Sequence, residues 1–269
     1  RWGSRKAGHD LITTALLLAA GAGARLQPLT DHCPKCLTEI RGVPILRRLV
    51  SCLLAQGFTR LVVVVGFQDA QIRDYLERHA SGLTIEFVDC REYATTNNIY
   101  SLWLAREYTR GPFVLIESDL VFDPHLLGRM RVQDRIAVAR FRSPMLGTTV
   151  SIDESGHVSS FRVGADPSVR GLRYKTVNIY SLSAATWRDV VRRLDQRIAA
   201  GLVHDYYEVV FAEMIAEGLL AFQSVHFDEG RWCEVDTLED LREANQIFHE
   251  SRDTSGPGIT KRPFSLEGS

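Results

Sequence analysis

The stretch ALLLAAGAGARLQPLTDHCPK, residues 15–35, decides the fold. It opens as an unbroken apolar run, Ala15 to Ala20, the pattern of a strand buried on both faces of a parallel sheet. A loop follows with Gly21 and Gly23, then Arg25, Pro28, Pro34 and Lys35. Glycines let backbone N–H groups turn toward one point, and a concave array of such donors binds phosphate oxygens. Arg25 adds a fork of donors and Lys35 a mobile point charge. Read on residue chemistry alone, the loop is a cradle for a triphosphate.

Other glycine-rich loops fit less well. A plain tight turn would need neither cation. A dinucleotide fingerprint would want a third glycine at position 26, where Leu26 stands, and a helix starting at once. Pro28 and Pro34 instead keep the segment irregular, and Val65-Gly66-Phe67 at the end of the second strand offers no carboxylate for a ribose. No GxxxxGK[ST] occurs, so the ordinary P-loop is excluded.

Outward from this stretch, strands and helices alternate. The spacing predicts a helix from Pro44 to Gly57, a strand over Leu61–Val65, a helix over Gln68–His79 and a strand over Leu83–Val88. A helix is expected from Asn98 to Tyr108 and a fourth strand over Phe113–Glu117, ending in Ser118-Asp119. Such alternation requires crossovers, hence an α/β fold with a Rossmann-like, mainly parallel sheet and helices on both faces. After Asp123 the rhythm changes. Strands over Arg135–Arg140, Thr148–Ile152, His157–Val163 and Tyr174–Leu182 suggest a smaller antiparallel region. Helices Ser183–Ala200 and Tyr206–Gly218, strands Leu220–Phe227 and Trp232–Val235, and a helix capped by Thr237 complete residues 11–250, with no boundary inside. Residues 1–10 are expected to be a tag or disordered start, and residues 251–269 a linker or disordered tail.

Composition narrows the class. Of 269 residues, 45% are hydrophobic and 24% charged, with formal net charge −1. That balance fits a globular chain and argues against a nucleic-acid or membrane-surface binder. No apolar run approaches a membrane span, and the first residues lack a signal-peptide core, so a cytoplasmic location is expected. The five cysteines show no framework spacing. Cys33 and Cys36 form a CxxC without a second pair to complete a metal site, and incidental thiols are the favoured reading over a redox motif.

Taken whole, GxGxRLxPLTxxxPK over residues 21–35 resembles the signature of the nucleotidyltransferases that make NDP-activated sugars and alcohols. Ala24 departs from it, where many members carry Ser or Thr. The segment YATTNNIYSLWLA, residues 93–105, is similar to that of the cytidylyltransferases acting on phosphocholine and small phosphonates. The resemblance implies a nucleotide pocket of Leu18, Ala20, Gly21, Ala22, Gly23, Arg25, Lys35, Thr96, Asn97, Asn98 and Ser118. In FVLIESDLVF and CEVDTLEDL it implies that Asp119 and Asp236 hold Mg2+ between them, with Glu117 and Glu234 as weaker candidates two residues earlier. Arg25, Lys35, Asp119 and Asp236 are the implied catalytic set. An acceptor side of Lys175, Asn178, Tyr180, Tyr207, Glu208 and Trp232 is implied as well. Lys175 reads equally as an anion-binding group or as a solvent-facing lysine on an edge strand.

The implied reaction is attack by a phosphonate or phosphate oxygen of a small acceptor on the α-phosphorus of CTP, expelling pyrophosphate. Two anions must meet, so cations are expected to dominate the site. The acceptor reading leans toward 2-hydroxyethyl- or 2-aminoethylphosphonate in a chain fused to a second biosynthetic enzyme. Phosphocholine is the alternative, and a hexose 1-phosphate comes third. Aromatic residues around the acceptor would suit a trimethylammonium head, whereas a hydroxyl or primary amine would need polar partners. A dinucleotide-dependent oxidoreductase and a silent nucleotide-binding regulator are the readings from other classes.

Overall fold

The computed structural model describes residues 11–142, 145, 147–164 and 173–249. The expected tag and tail lie outside the described residues. Strand β1 (Thr14–Ala19) forms as expected from its apolar run and is buried almost throughout. A short hairpin of β2 (Glu39–Ile40) and β3 (Val43–Pro44) leads into α1 (Ile45–Ala55), then β4 (Arg60–Val65), α2 (Asp69–His79) and β5 (Thr84–Asp89). Next come α3 (Asn98–Leu104), one 3-10 turn at Ala105–Glu107, and β6 (Phe113–Glu117). Beyond them lie β7 (Leu120–Phe122), α4 (Pro124–Arg129), β8 (Arg135–Arg140), β9 (Thr149–Ile152), β10 (Val158–Arg162) and β11 (Tyr174–Leu182). The chain continues through α5 (Ala184–Ala199), α6 (Glu208–Ala216), β12 (Gln223–His226), β13 (Trp232–Glu234) and α7 (Leu238–Ile247).

One nine-stranded sheet joins these elements along the order β10-β9-β11-β6-β1-β4-β5, with β8 pairing β11 and β12 pairing β8. Strands β6, β1, β4 and β5 are mutually parallel, and β11 runs antiparallel to β6. The antiparallel strands expected as a smaller region therefore continue the same sheet. The chain steps from β1 outward to β4 and β5, then returns to place β6 on the other side of β1. That reversal opens a crevice at the carboxyl ends of β1 and β6, where open α/β sheets bind ligands.

Alternation along β1 divides the core. Ala15, Leu17 and Ala19 pack with α1, α2 and α4, while Leu16, Leu18 and Ala20 pack with α3, α5 and α6. Both faces are thus sealed, and the crevice is left to the loops.

Two elements had no strong local signal. Strand β7 is three residues long and exists by pairing with β13 more than a hundred positions away. Helix α4 is short, opened by Asp123 and by Pro124, whose fixed φ suits a first helical turn. Helix α3 also ends earlier than its pattern suggests, tightening into the 3-10 turn before Tyr108.

Candidate active site

The loop after β1 is shaped by Gly23. Its φ of 63° is left-handed, and a Cβ there would stand 3.1 Å from the Cβ of Lys35, so both backbone and space call for glycine. The Thr30 hydroxyl donates to the Gly23 carbonyl at 2.9 Å and pins the loop. Pro34 then turns the chain into a 3-10 turn, Lys35–Leu37, which carries the Lys35 side chain back under the glycines.

On the other side, β7 and β13 pair with Leu120 opposite Glu234. The Val235 N–H donates to the Asp119 carbonyl at 2.9 Å. This two-stranded clasp brings Asp119 beside Asp236. The base of α7 holds Asp236 in turn: its N–H donates to Asp240 at 3.0 Å, within a capping box formed by Thr237 and Asp240. Lys35 Nζ bridges the two carboxylates, donating to Asp119 Oδ2 at 2.7 Å and to Asp236 Oδ1. Arg25 reaches Asp236 Oδ2 at 2.8 Å from a mostly exposed side chain. Burial alone would lower the Lys35 pKa, but Asp119 and Asp236 outweigh it and hold the ammonium above its ordinary range. Asp119 Oδ1 is buried with no partner.

These groups face a cavity of about 710 Å³. All the sequence-expected nucleotide residues line it: Leu18, Ala20, Gly21, Ala22, Gly23, Arg25, Lys35, Thr96, Asn97, Asn98 and Ser118. Besides Arg25 and Lys35, three of their side chains are already engaged by the protein. Thr96 donates to Glu92 O at 2.8 Å, and Asn97 caps α3 through the Asn98 N–H at 2.8 Å. Asn98 donates to Glu117 Oε1 at 3.2 Å and accepts the Tyr207 N–H at 3.0 Å, bracing β6 against the start of α6.

The expected acceptor set divides. Lys175, Asn178 and Glu208 line the cavity. Lys175 is 3% exposed, inside the sheet rather than on an edge, with Glu234 Oε2 at 3.0 Å from its ammonium. Asn178 sits where the pairing of β11 shifts register, at φ 58°, and donates to Glu234 Oε1 at 3.0 Å. Tyr180, Tyr207 and Trp232 do not line the cavity, which corrects the expectation drawn for them. Tyr180 and Tyr207 are fully buried core residues, packed edge-on with each other, and Tyr207 packs edge-on with Phe211, against which Tyr180 is tilted. Trp232 packs against the core on the α1 face of the sheet.

A further finding concerns the charge of the protein's own side chains, apart from the Mg2+ that was counted among the expected cations. Among the described residues the lining carboxylates Glu117, Asp119, Glu208, Glu234 and Asp236 outnumber the cations Arg25, Lys35 and Lys175. Burial pushes Glu208 up to about 7. Burial first, then Asp119 and Glu208, pushes Glu117 well above the usual carboxylate range. Glu234 is also raised by burial, against the pull of Lys175. Glu117 and Glu234 were legible as period-two neighbours of the two aspartates. Tyr93, which opens the segment 93–105, also lines the wall, as do Gly147 and Thr148, which carried no sequence signal since only the tertiary fold brings them there. Cys36 lies in the same turn as Lys35, and burial pushes its thiol up to about 12, leaving it a poor nucleophile.

Comparison with known proteins agrees with this geometry. The family model described as MobA-like NTP transferase domain matches residues 15–208. The CMP-5'-(3-aminopropyl)phosphonate synthase of Streptomyces rubellomurinus is 32% identical over 251 residues, covering 89% of this chain and 39% of that protein. The 2-aminoethylphosphonate cytidylyltransferase of Lancefieldella rimae is 28% identical over 198 residues, covering 73% of this chain and 74% of that protein. The chain thus spans well under half the length of the first relative. Among solved structures, the CTP:phosphocholine cytidylyltransferase of Streptococcus pneumoniae shares the fold, with a TM-score of 0.76 at 22% identity over 88% of this chain and 99% of that one. A glycine-rich loop with its lysine, a sheet reversal beneath it and a matching family model lead to one conclusion: the chain belongs to the MobA-like NTP transferase domain family.

Proposed function

We propose that this chain transfers CMP from CTP to a small phosphonate and releases pyrophosphate. The observation that carries the reading is the meeting of the Gly21–Gly23 loop, Lys35, Asp119 and Asp236 in one cavity at the carboxyl edge of β1 and β6. The relatives that act on aminoalkylphosphonates support it.

In this account the loop N–H groups and Arg25 hold the triphosphate. Lys35 neutralises charge where the α-phosphate meets the two aspartates. An acceptor oxygen attacks the α-phosphorus, a new P–O bond forms, and the bond to the pyrophosphate oxygen breaks. The second ionisation of a phosphate monoester lies at ~6, and a phosphonate acceptor ionises by the same step, so its dianion needs no strong general base near neutral pH. The obstacle is repulsion: two like charges ~4 Å apart cost about 4 kcal/mol at an effective dielectric of 20. Catalysis is then positioning and charge neutralisation.

Asp119 and Asp236 fit a hard divalent cation. They converge on one point, and Asp119 Oδ1 is buried with a lone pair unused. Among the described residues no set of three or more His, Cys, Asp or Glu side chains converges as metal ligands. Mg2+ suits that arrangement, because it is commonly held by one or two carboxylates together with substrate phosphates and water. When bound it supplies positive charge to the triphosphate oxygens. Residues of this chain would share that work, Lys35 moving between carboxylate and phosphate.

A fused second biosynthetic enzyme is part of the proposal, supported by the greater length of the first relative. The test is pyrophosphate release with CTP, Mg2+ and a panel of phosphonates, phosphocholine and sugar phosphates. Release with phosphonates well above the others is expected. No release with any acceptor, or fastest release with a hexose 1-phosphate, would overturn the reading.

A further inference from the structure

The carboxylates of the cavity are unequally served. Asp119 and Asp236 share Lys35, and Asp236 also has Arg25. Glu234 has Lys175 at 3.0 Å and the Asn178 amide at 3.0 Å. Among the described residues Glu117 and Glu208 form no ion pair. Glu117 accepts from the Asn98 amide at 3.2 Å and lies beside the Tyr207 hydroxyl. Glu208 is 6% exposed, lines the cavity, and its Oε2 is buried with no hydrogen-bond partner. A buried carboxylate without a cation is costly to keep charged, and a cationic ligand that pairs with it offsets that cost.

Their placement is built rather than incidental. Glu117 ends β6 and Glu208 opens α6, and Asn98 is bonded to both elements: its amide donates to Glu117 and its carbonyl accepts from the Tyr207 N–H. Lys175 stands on the same wall, bonded to Glu234. The cavity therefore offers lysine for an anion and, beside it, two carboxylates without a direct ion pair, Glu208 feeling Lys175 only at longer range.

We propose that Glu208, with Glu117 as its companion, receives a primary ammonium group on the acceptor, so that the substrate is an aminoalkylphosphonate and not its hydroxyl counterpart. This rests on the reaction proposed above. The choice of a primary over a quaternary ammonium follows from hydrogen bonding. Glu208 Oε2 lacks a donor, which –NH3+ supplies and –N(CH3)3+ does not. Of the aromatic residues expected on the acceptor side, Tyr180 and Tyr207 are sealed in the core and Trp232 packs on the other face. Tyr93 and the half-exposed Tyr206 line the wall.

The test compares 2-aminoethylphosphonate, 2-hydroxyethylphosphonate, n-propylphosphonate (the uncharged-tail isostere of the first) and phosphocholine. A site built around polar partners rejects an analogue lacking them strongly, so a preference for the amine of at least ~100-fold in kcat/KM is expected. In Glu208→Gln the ratio of amine to n-propyl should fall at least ~10-fold, and Glu208→Asp should retain much of it. Calorimetric binding of the same phosphonates to the wild-type chain reads the preference without turnover or substitution. Absence of pyrophosphate with every acceptor would overturn the reaction and leave the binding preference to judge the amine site. Equal wild-type affinity for amine and n-propyl, an unchanged ratio in Glu208→Gln, or preference for phosphocholine would overturn the amine site.

Discussion

Removing the Lys35 ammonium would leave Asp119 and Asp236 facing each other with only Arg25 between them and the solvent. We expect Lys35→Ala and Asp119→Ala each to lose at least ~100-fold in turnover while staying folded, the scale of a lost electrostatic contact in a preorganised site. Steady-state rates with circular dichroism check this, and near-wild-type rates at saturating Mg2+ would contradict it. Arg25→Lys should also be impaired, since the guanidinium fork is lost while charge is kept. Glu208 shows the opposite balance, a group whose presence weakens the fold. Its folded pKa of about 7 lies above the ordinary 4.5 because of burial, so between those values the folded state holds the proton more tightly than the unfolded chain. Stability therefore falls as pH rises through that window and the loss is complete above about 7, reaching up to about 3 kcal/mol. Glu208→Gln should melt higher than wild type at pH 8, with the difference shrinking toward pH 5. An equal difference at both pH values would contradict the shift. At this scale the wall of the cavity formed by the loop after β1 was legible, because chain-local glycines and cations marked it. The acceptor side was not, because whether Tyr180 or Tyr207 faces a ligand or the core depends on which face of β11 and α6 the helices cover.

Elements decide how well the aspartates are aimed. Asp119 follows β6, a strand plain in the sequence, but its partner Asp236 is delivered by β13 and α7. The capping box of Thr237 and Asp240 fixes that delivery, since Asp240 also receives the Asp236 N–H. Thr237→Ala should cost about 1 kcal/mol of stability, as helix caps do, and also lower turnover by loosening Asp236. Urea unfolding and kcat would be measured together, and a stability loss with kcat unchanged would show that the cap serves the helix alone. The long alternating strands and amphipathic helices were legible within a residue or two, because their burial is written in local periodicity. Strand β7 was not, since three residues have too little pattern and gain their structure from distant β13. Nor was the register shift in β11, where Asn178 takes φ 58° so that its amide meets Glu234.

For the molecule as a whole, the reversal of strand order at β1 explains why residues spread from Leu18 to Asp236 share one cavity. The family was visible in residues 21–35 and 93–105, because phosphate binding constrains glycine, proline and cation spacing along the chain. The surplus of carboxylates was not visible, since net charge of the sequence, −1, says nothing of how charge collects in a crevice. On the proposed reading, that surplus would make the chemistry a matter of matched opposites: cations for the triphosphate, anions for the acceptor's tail. The most direct measurement is phosphorus NMR of CTP, Mg2+ and 2-aminoethylphosphonate incubated with the chain. The account predicts that CTP disappears while a phosphonate–phosphate anhydride and pyrophosphate appear in equal amounts, and that Asp119→Ala forms neither. Unchanged CTP, or its hydrolysis with the phosphonate signal unmoved, would contradict it.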